Sequence, residues 1–575
     1  MAVGETSSFH FSRRTELWLA LLISIASFGL RVHNVGFYSL SEDEATKWQA
    51  IQEYAQGHFV AVNGEHPMLM KLLAWGSISL GEQWNAHAIR LGWPNTALEA
   101  WLRLPNVILG AATTLVLYWL SRAVMGSIGS LAAAMFWAVS PLAIALNRLL
   151  KEETPLVFFS LLACYFYLLA KKATDTTETK RWLDFSALAF GLSFASKYAP
   201  QLLGLNALAW HFAGRYGLDS KPIGPYFRRF ILLAVVAFVL VNPVIVVPAN
   251  AHSMLHWIRE GGANHSGYNF AGKLYFNQPS FKQSSVPGYF YLWLLLVKTP
   301  FPILAAILAG SVLLLRHRNS LISAFFLSFG LIQLVGLSAF PGKWIRYVLG
   351  VMPFLFLAGG YAVEQLYEWL SRRSVRPRLL RFAAVVLIGY TYLRVSSWDP
   401  YYSLYLNPLG GGTSRISRYF SPDEISELDA RETAAVISGS AFHGARLATS
   451  KPKSMRYYLD RDGRTDIKIV PLYDRDYVPQ YGDVVLAEDS RRYFETTRLL
   501  EWLRFSKLPH EDIRVGPVLA TTIYYFQRAA PRENQEDANT KILAAEMARS
   551  TALLAGNMVP TTKVAIPRSA YVQRR

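Results

Sequence analysis

Apolar residues in this chain are gathered into long blocks, with the polar ones confined between them. A helix needs about 20 mostly apolar residues to cross a bilayer. Blocks of that kind lie near 17–34, 103–122, 128–146, 154–170, 183–197, 199–213, 229–248, 288–315, 321–341, 346–370 and 379–397. The stretch 183–213 reads either as one long span or as two short ones broken at Ser196-Lys197-Tyr198-Ala199-Pro200. No small-residue cleavage site follows the first block, so it reads as an uncleaved span.

The positions of the bases decide between the two. Arg13-Arg14, Lys171-Lys172 with Lys180-Arg181, Arg228-Arg229, Arg316 with Arg318, and the group Arg372, Arg373, Arg376, Arg378 and Arg381 form the basic loops. The positive-inside rule assigns such loops to the cytoplasm. They share one side only if 183–213 crosses twice. The expectation is an α-helical membrane protein of eleven spans with a cytoplasmic N-terminus. The first outer loop (35–102), the connection 147–153, the loop 249–287 and everything after about 398 then share the outer side.

Between Val35 and Ala100 there are seven acids and three bases, the reverse of the cytoplasmic loops. Within this loop, 44–56 and 67–80 have the spacing of interfacial helices. Residues 399–528 mix short β-rich runs (467–470, 483–487, 518–526) with helical patterns (454–459, 496–505), which predicts an extracytoplasmic α/β domain. The last stretch, 529–575, is a basic, partly disordered tail with one helical pattern at 540–554.

Composition agrees with the blocks. Charged residues make up 17% of the chain against 52% hydrophobic, too few to cover a soluble surface of this size. The net charge of +18 falls mainly in loops between spans, so a nucleic-acid partner is set aside. Cys164 is the only cysteine, which excludes disulfides and cysteine metal sites.

Several polar groups stand where chemistry is expected. Glu42-Asp43-Glu44 is a run of mutually repelling carboxylates just beyond the first span; its plain alternative is a helix cap. His66 in Gly64-Glu65-His66-Pro67 is an acid/base group, a ligand, or a polar residue before a helix. Asn147 to Pro155 packs Arg148, Lys151, Glu152 and Glu153 into a very short turn, where mutual pairing is the simplest account. Lys197 stands at the apex of a broken helix pair, a placement suited to an anionic headgroup, with snorkelling as the alternative. Lys343 and Arg346, with Lys298, put positive charge on the side where insertion disfavours it, as an anion site requires. His252, His256 and His265 match no standard metal spacing.

These segments together resemble a family. Ser41-Glu42-Asp43-Glu44 is similar to the Asp-Glu motif of the protein O-mannosyltransferases, glycosyltransferase family 39. Glu65-His66-Pro67-Met68-Leu69-Met70-Lys71 resembles that family's His-Pro-Pro-Leu-Gly-Lys stretch, with Met68 in place of the second proline. Arg148 to Pro155 resembles the Lys-Glu-Asp turn of the bacterial relatives, with Glu153 for the usual Asp. Ser196-Lys197-Tyr198 resembles their Lys-aromatic break, and Lys343 to Pro353 their Lys-x-x-Arg-Tyr run. The ordered set covers roughly 15–400. No sugar-binding trefoil repeats follow, so the resemblance is to bacterial, lipid-carrier-dependent members, the wider group that includes the aminoarabinose transferase of lipid A.

The resemblance implies a GT-C fold and transfer of a sugar, a hexose in this reading, from a polyprenyl-phosphate donor to the hydroxyl of a protein, lipid or glycan acceptor, with inversion. It implies Asp43 as general base and Glu44 as its orienting or acceptor-binding neighbour. His66, Lys71, Arg148, Lys151, Glu153, Lys197, Tyr198, His265, Lys343, Arg346 and Tyr347 are the implied substrate-binding set. Asp43, Glu44 and Glu153 are the candidate ligands if Mg²⁺ or Mn²⁺ takes part. The rival class is a lipid or sugar transporter, which ordinarily carries inverted repeats and mid-membrane polar sites.

Overall fold

A computed structural model of the chain describes residues 12–59, 63–198, 226–259, 268–276, 278–317, 320–373, 377–412, 415–420, 427–439, 445–474, 477–488 and 494–526. The block 199–213, His265 and the tail with its pattern at 540–554 lie outside the described residues.

The apolar blocks fold as helices: α1 (Arg13–Val32), α4 (Leu98–Arg122), α5 (Ser127–Ala138), α6 (Pro141–Asn147), α7 (Glu153–Lys172), α8 (Thr176–Ser196), α9 (Phe227–Val241), α11 (Phe290–Lys298), α12 (Phe301–Arg316), α13 (Leu321–Ala339), α14 (Met352–Arg372) and α15 (Pro377–Ser396). Four of these, α1, α4, α7 and α13, are long and apolar enough to cross a membrane, and α5 with α6 makes a bent fifth among the described residues. Trp18, Leu22, Ile25, Leu240 and Leu393 stand exposed on helix faces, the pattern of a surface meant for lipid. A polytopic membrane fold follows, with the count of eleven spans left to the charge rule alone.

Helix contacts are made close by small residues, as is usual in a bilayer. A Cβ on Gly129 would lie 2.7 Å from the carbonyl oxygen of Gly360, joining α5 to α14. A Cβ on Gly310 would meet the Ala358 carbonyl at 1.8 Å, joining α12 to α14.

Two blocks read as continuous are broken. The block 128–146 bends by 58° between α5 and α6, where Ser140 caps and Pro141 opens the second half. Arg31 holds this bend: its guanidinium, fully buried, donates to the carbonyls of Trp137 and Ala138 at 3.1 Å each. The block 288–315 splits into α11 and α12, because Pro300 forces Thr299 into an extended backbone and cannot continue the helix. Lys298, expected to add anion-binding charge, is instead buried at this break and donates to the Ser403 carbonyl at 2.6 Å.

The first loop carries α2 (Glu42–Ala55) and α3 (Leu69–Arg90), and α10 (Pro248–Arg259) follows the short helical turn after α9. A two-stranded hairpin, β1 (Tyr268–Phe270) with β2 (Lys273–Tyr275), precedes α11. After α15 come helix α16 (Ala430–Gly439), strand β3 (Arg446–Thr449), helix α17 (Pro452–Arg461), strands β4 (Lys468–Pro471) and β5 (Val484–Glu488), helix α18 (Phe494–Phe505), and strands β6 (His510–Val515) and β7 (Val518–Tyr525). The five strands form one sheet in the order β4-β3-β5-β7-β6, parallel over β4-β3-β5 and antiparallel beyond. Leu447, Met455, Tyr458 and Leu486 of this unit share one apolar cluster with Leu40, Ile51, Met70 and Ile78 of the first loop. Sheet and loop are therefore packed as one body.

Candidate active site

The C-terminus of α1, the N-termini of α4 and α7 and the C-terminus of α8 meet at one end of the helical bundle. The turn 148–152 between α6 and α7 is fixed there from several sides. Asn106 donates its amide to the carbonyls of Leu149 and, at 2.9 Å, Lys151. Asn147 donates to Thr154 Oγ1 at 3.0 Å and accepts from Arg31 Nε at 3.0 Å. Gly110 makes room for it, since a Cβ there would lie 2.5 Å from Asn147 Cγ.

Helix α2 begins with a capping box: the Ser41 hydroxyl accepts the Glu44 amide, and the Glu44 carboxylate accepts the Ser41 amide. Glu44 reaches further than its own helix. Its oxygens take Arg103 Nε and Nη2 at 2.9 and 2.8 Å and the Leu150 amide at 2.9 Å, all buried. Burial alone would push this carboxyl up; Arg103 and the two amides more than offset it and hold it at about 2. Such an arrangement suits the orienting role expected of Glu44 better than contact with an acceptor. The side chain has no exposed surface, and its oxygens tie α2 to α4 and to the 148–152 turn.

Asp43 faces the other way. Its side chain is 46% exposed and pairs with the Lys151 ammonium, itself only 8% exposed. Behind that pair lie more ions. Lys47 Nζ meets Glu152 Oε1 at 2.9 Å, Lys197 Nζ meets Glu153 Oε1 at 2.5 Å, and Arg346 Nε meets the same oxygen at 3.2 Å. Lys197 rests 4.3 Å over the Tyr347 ring, and the Arg346 guanidinium lies 4.5 Å over Trp344. Burial drives Lys151 below the ordinary lysine range, and Arg346 and Lys47 add to this against the pull of Asp43. Burial would raise Glu152, yet Lys47, His66, Lys197 and Lys151 together hold it well below the carboxylate range. His66 belongs to the same field: burial pushes its ring down, with Glu152 opposing.

Asp43, Lys151, Glu153, Lys197, Arg346, Tyr347 and His66 are thus brought together. Other residues expected in the set are engaged elsewhere. Lys71 is buried and donates to the carbonyls of Asn63 and His66 at 2.8 and 3.1 Å, so it shapes the His66 turn. Arg148 donates to Asp399 Oδ1 at 2.8 Å and to the His33 carbonyl at 2.7 Å, tying the end of α1 to the segment after α15. Lys343 donates to the carbonyls of Leu337 and Ser338, both at 2.6 Å, and of Phe340; it caps the end of α13. Burial pushes its ammonium down to about 8. Tyr198 accepts from Asn242 Nδ2 at 2.6 Å, whose oxygen accepts the Met68 amide at 2.9 Å. It orders the chain behind Lys197. All four are buried posts of the site.

The divalent-metal reading finds poor support in this geometry. Glu44 spends its oxygens on Arg103, Glu153 lies between two cations, and Asp43 lies against Lys151. Among the described residues no three His, Cys, Asp or Glu side chains converge as a metal-binding group. Lys47 is the participant that the sequence pattern does not mark, and its partner Glu152 is marked only as part of the crowded turn. Lys47 sits at a helix position with ordinary spacing, and nothing local announces a partner 105 residues away.

The chain is similar to known proteins in sequence over one segment and in fold over most of its length. The family profile described as dolichyl-phosphate-mannose-protein mannosyltransferase matches residues 96–246, a segment that includes Arg103, Lys151, Glu152, Glu153 and Lys197. The apo crystal structure of ArnT from Cupriavidus metallidurans superimposes with a TM-score of 0.50 at 13% identity, covering 90% of this chain and 99% of that one. The same protein bound to undecaprenyl phosphate gives 0.48, with the same identity and coverage. The oligosaccharyltransferase AglB from Archaeoglobus fulgidus, in complex with an inhibitory peptide and a dolichol-phosphate, gives 0.46 at 12% identity over 79% of this chain and 64% of that one. No curated protein sequence matches the chain. The likeness to ArnT shows a shared fold, and the family resemblance by sequence is carried by residues 96–246.

Proposed function

We propose that this protein is a membrane glycosyltransferase that moves a sugar from a polyprenyl-phosphate donor to an acceptor hydroxyl, by direct displacement with inversion and with Asp43 as general base. The observation that carries the reading is the exposure of Asp43 beside an otherwise buried cation cluster. Its side chain is 46% exposed, against 5% for Glu152 and 6% for Glu153. Of the three carboxylates in the cluster, it is the one an acceptor can reach.

The chemistry follows from the charges. A donor of this class leaves as a phosphate, whose growing negative charge needs fixed cations. Arg346, 20% exposed, is the most accessible of the cations here, against 7% for Lys197 and 8% for Lys151. The acceptor oxygen attacks the anomeric carbon from the face opposite the phosphate, Asp43 takes the hydroxyl proton, and the bond to the phosphate oxygen breaks with its electron pair. Glu153 keeps Lys197 and Arg346 together in the absence of substrate, so mutual repulsion does not scatter them. The matched profile describes dolichyl-phosphate-linked donors, and this supports the donor class for the segment it covers. A hexose as the sugar and a protein, lipid or glycan as the acceptor belong to the same proposal.

The test uses the full-length protein in liposomes with labelled polyprenyl-phosphate sugars. Asp43→Asn is expected to lower transfer by roughly 10²- to 10⁴-fold while donor binding persists. Transfer at the wild-type rate would remove Asp43 as base.

A further inference from the structure

Asp43 has a neighbour on each side, and each is anchored to a different body. Glu44 is held by the bundle, through Arg103 and the Leu150 amide. Glu42 is held by the C-terminal unit. Its carboxylate accepts the amide of Lys453 at 3.0 and 3.1 Å, the amide of Ser454 at 3.0 Å and the hydroxyl of Ser454 at 3.1 Å. Those amides are the first free donors of helix α17, because Pro452, at its first position, has none. Helix α17 has no side-chain cap of its own, since Lys451 at the cap position makes no such bond. Its cap is Glu42, more than 400 residues earlier in the chain. A carboxylate at the positive end of a helix is a favourable contact in its own right.

The same unit grips the residues leading up to the triplet. Tyr458, also on α17, accepts the Leu40 amide at 2.6 Å and donates to Glu99 at 2.9 Å. Arg431 donates from its guanidinium to the carbonyls of Gly36, Phe37 and Tyr38, and from its backbone to Ser39 Oγ at 2.9 Å. Leu40 is buried among Leu447, Met455 and Tyr458.

We propose that Glu42 is a positioning residue: by capping α17 it lets the docked C-terminal unit set where Asp43 stands over the cation cluster. The C-terminal unit is then a working part of the site, reaching it through one carboxylate rather than through contact with the reacting atoms. This rests on the reading of Asp43 as the base.

The test compares Glu42→Ala, Glu42→Gln and Glu42→Asp with Asp43→Asn, all in the full-length protein in liposomes. Turnover, KM for a polyprenyl-phosphate sugar, melting temperature and hydrogen exchange over 36–48 and 452–458 are measured. For Glu42→Ala and Glu42→Gln the expected result is kcat lowered by at least about tenfold, since small misplacements of a catalytic group are costly, with KM within about twofold. Exchange should rise over 36–48 and 452–458 and stay low in the bundle helices, and Glu42→Asp should recover part of the rate. The proposal is overturned if Glu42→Ala turns over normally, or if its loss follows the fraction of folded protein alone. If Asp43→Asn retains the wild-type rate, the base assignment falls, and the exchange pattern still decides whether Glu42 fixes this segment.

Discussion

Glu44 and Arg103 form a two-bond ion pair, at 2.9 and 2.8 Å, with both side chains fully buried. Breaking such a pair leaves an uncompensated buried charge, so Arg103→Ala is expected to cost roughly 3–5 kcal/mol of stability. The pair also has a pH signature. Glu44 is held at about 2 in the folded protein, below its ordinary 4.5. A depressed carboxyl stabilises above its unfolded pKa and loses that contribution as pH falls through the folded one. Melting temperature should therefore fall between about pH 4.5 and pH 2, and Glu44→Gln should flatten that part of the curve. Melting curves across that range check both statements; an unchanged slope in Glu44→Gln would be the contrary result.

Lys197→Met removes one of two cations on Glu153. A charge-assisted bond to phosphate contributes about 1.5–3 kcal/mol, so binding of the proposed polyprenyl-phosphate donor is expected to weaken roughly 10- to 100-fold. Adding Glu153→Gln should restore stability without restoring affinity, because it removes the under-compensated carboxylate and not the missing cation. Calorimetric titration in detergent reads the affinity. Undiminished binding in Lys197→Met would take Lys197 out of the donor site.

Lys343→Met tests the opposite assignment. Three carbonyls at the end of α13 lose their donor, which is expected to cost about 1–3 kcal/mol each way it is measured, by heat or by denaturant. KM for the donor should stay within about twofold in the protein that folds. A tenfold rise in KM with intact stability would return Lys343 to the phosphate site.

Much of the site was legible because its ionisable residues stand out against apolar sequence. Lys197 at a helix break, Arg346 just before α14 and the crowded 148–153 turn all drew attention that way, and they meet in space. The same signal flagged Lys343 and Arg148, yet it cannot separate a cation awaiting a ligand from one spent on carbonyls or a distant Asp399. Arg31 and Arg103, both within or at the edge of predicted spans, carry the same signal. Nor does an acidic triplet declare that its three members face three directions: Glu42 to the sheet unit, Glu44 to the bundle and Asp43 to the open side. Block length predicts the helices but not their breaks at Pro141 and Pro300, because each block is long enough to span without one.

Arg31 also bears on the order in which the chain is made. Its guanidinium finds Ser27 in its own helix, but its other three acceptors belong to Trp137, Ala138 and Asn147, 106 to 116 residues downstream. At ribosomal speeds of about 5–20 residues per second, those acceptors emerge on the order of ten seconds later. Until then the first helix carries a charge with only part of its hydrogen-bonding satisfied, which is expensive in hydrocarbon. The final packing of α1 is thereby tied to α5 and α6, since three of the acceptors of Arg31 arrive only with them.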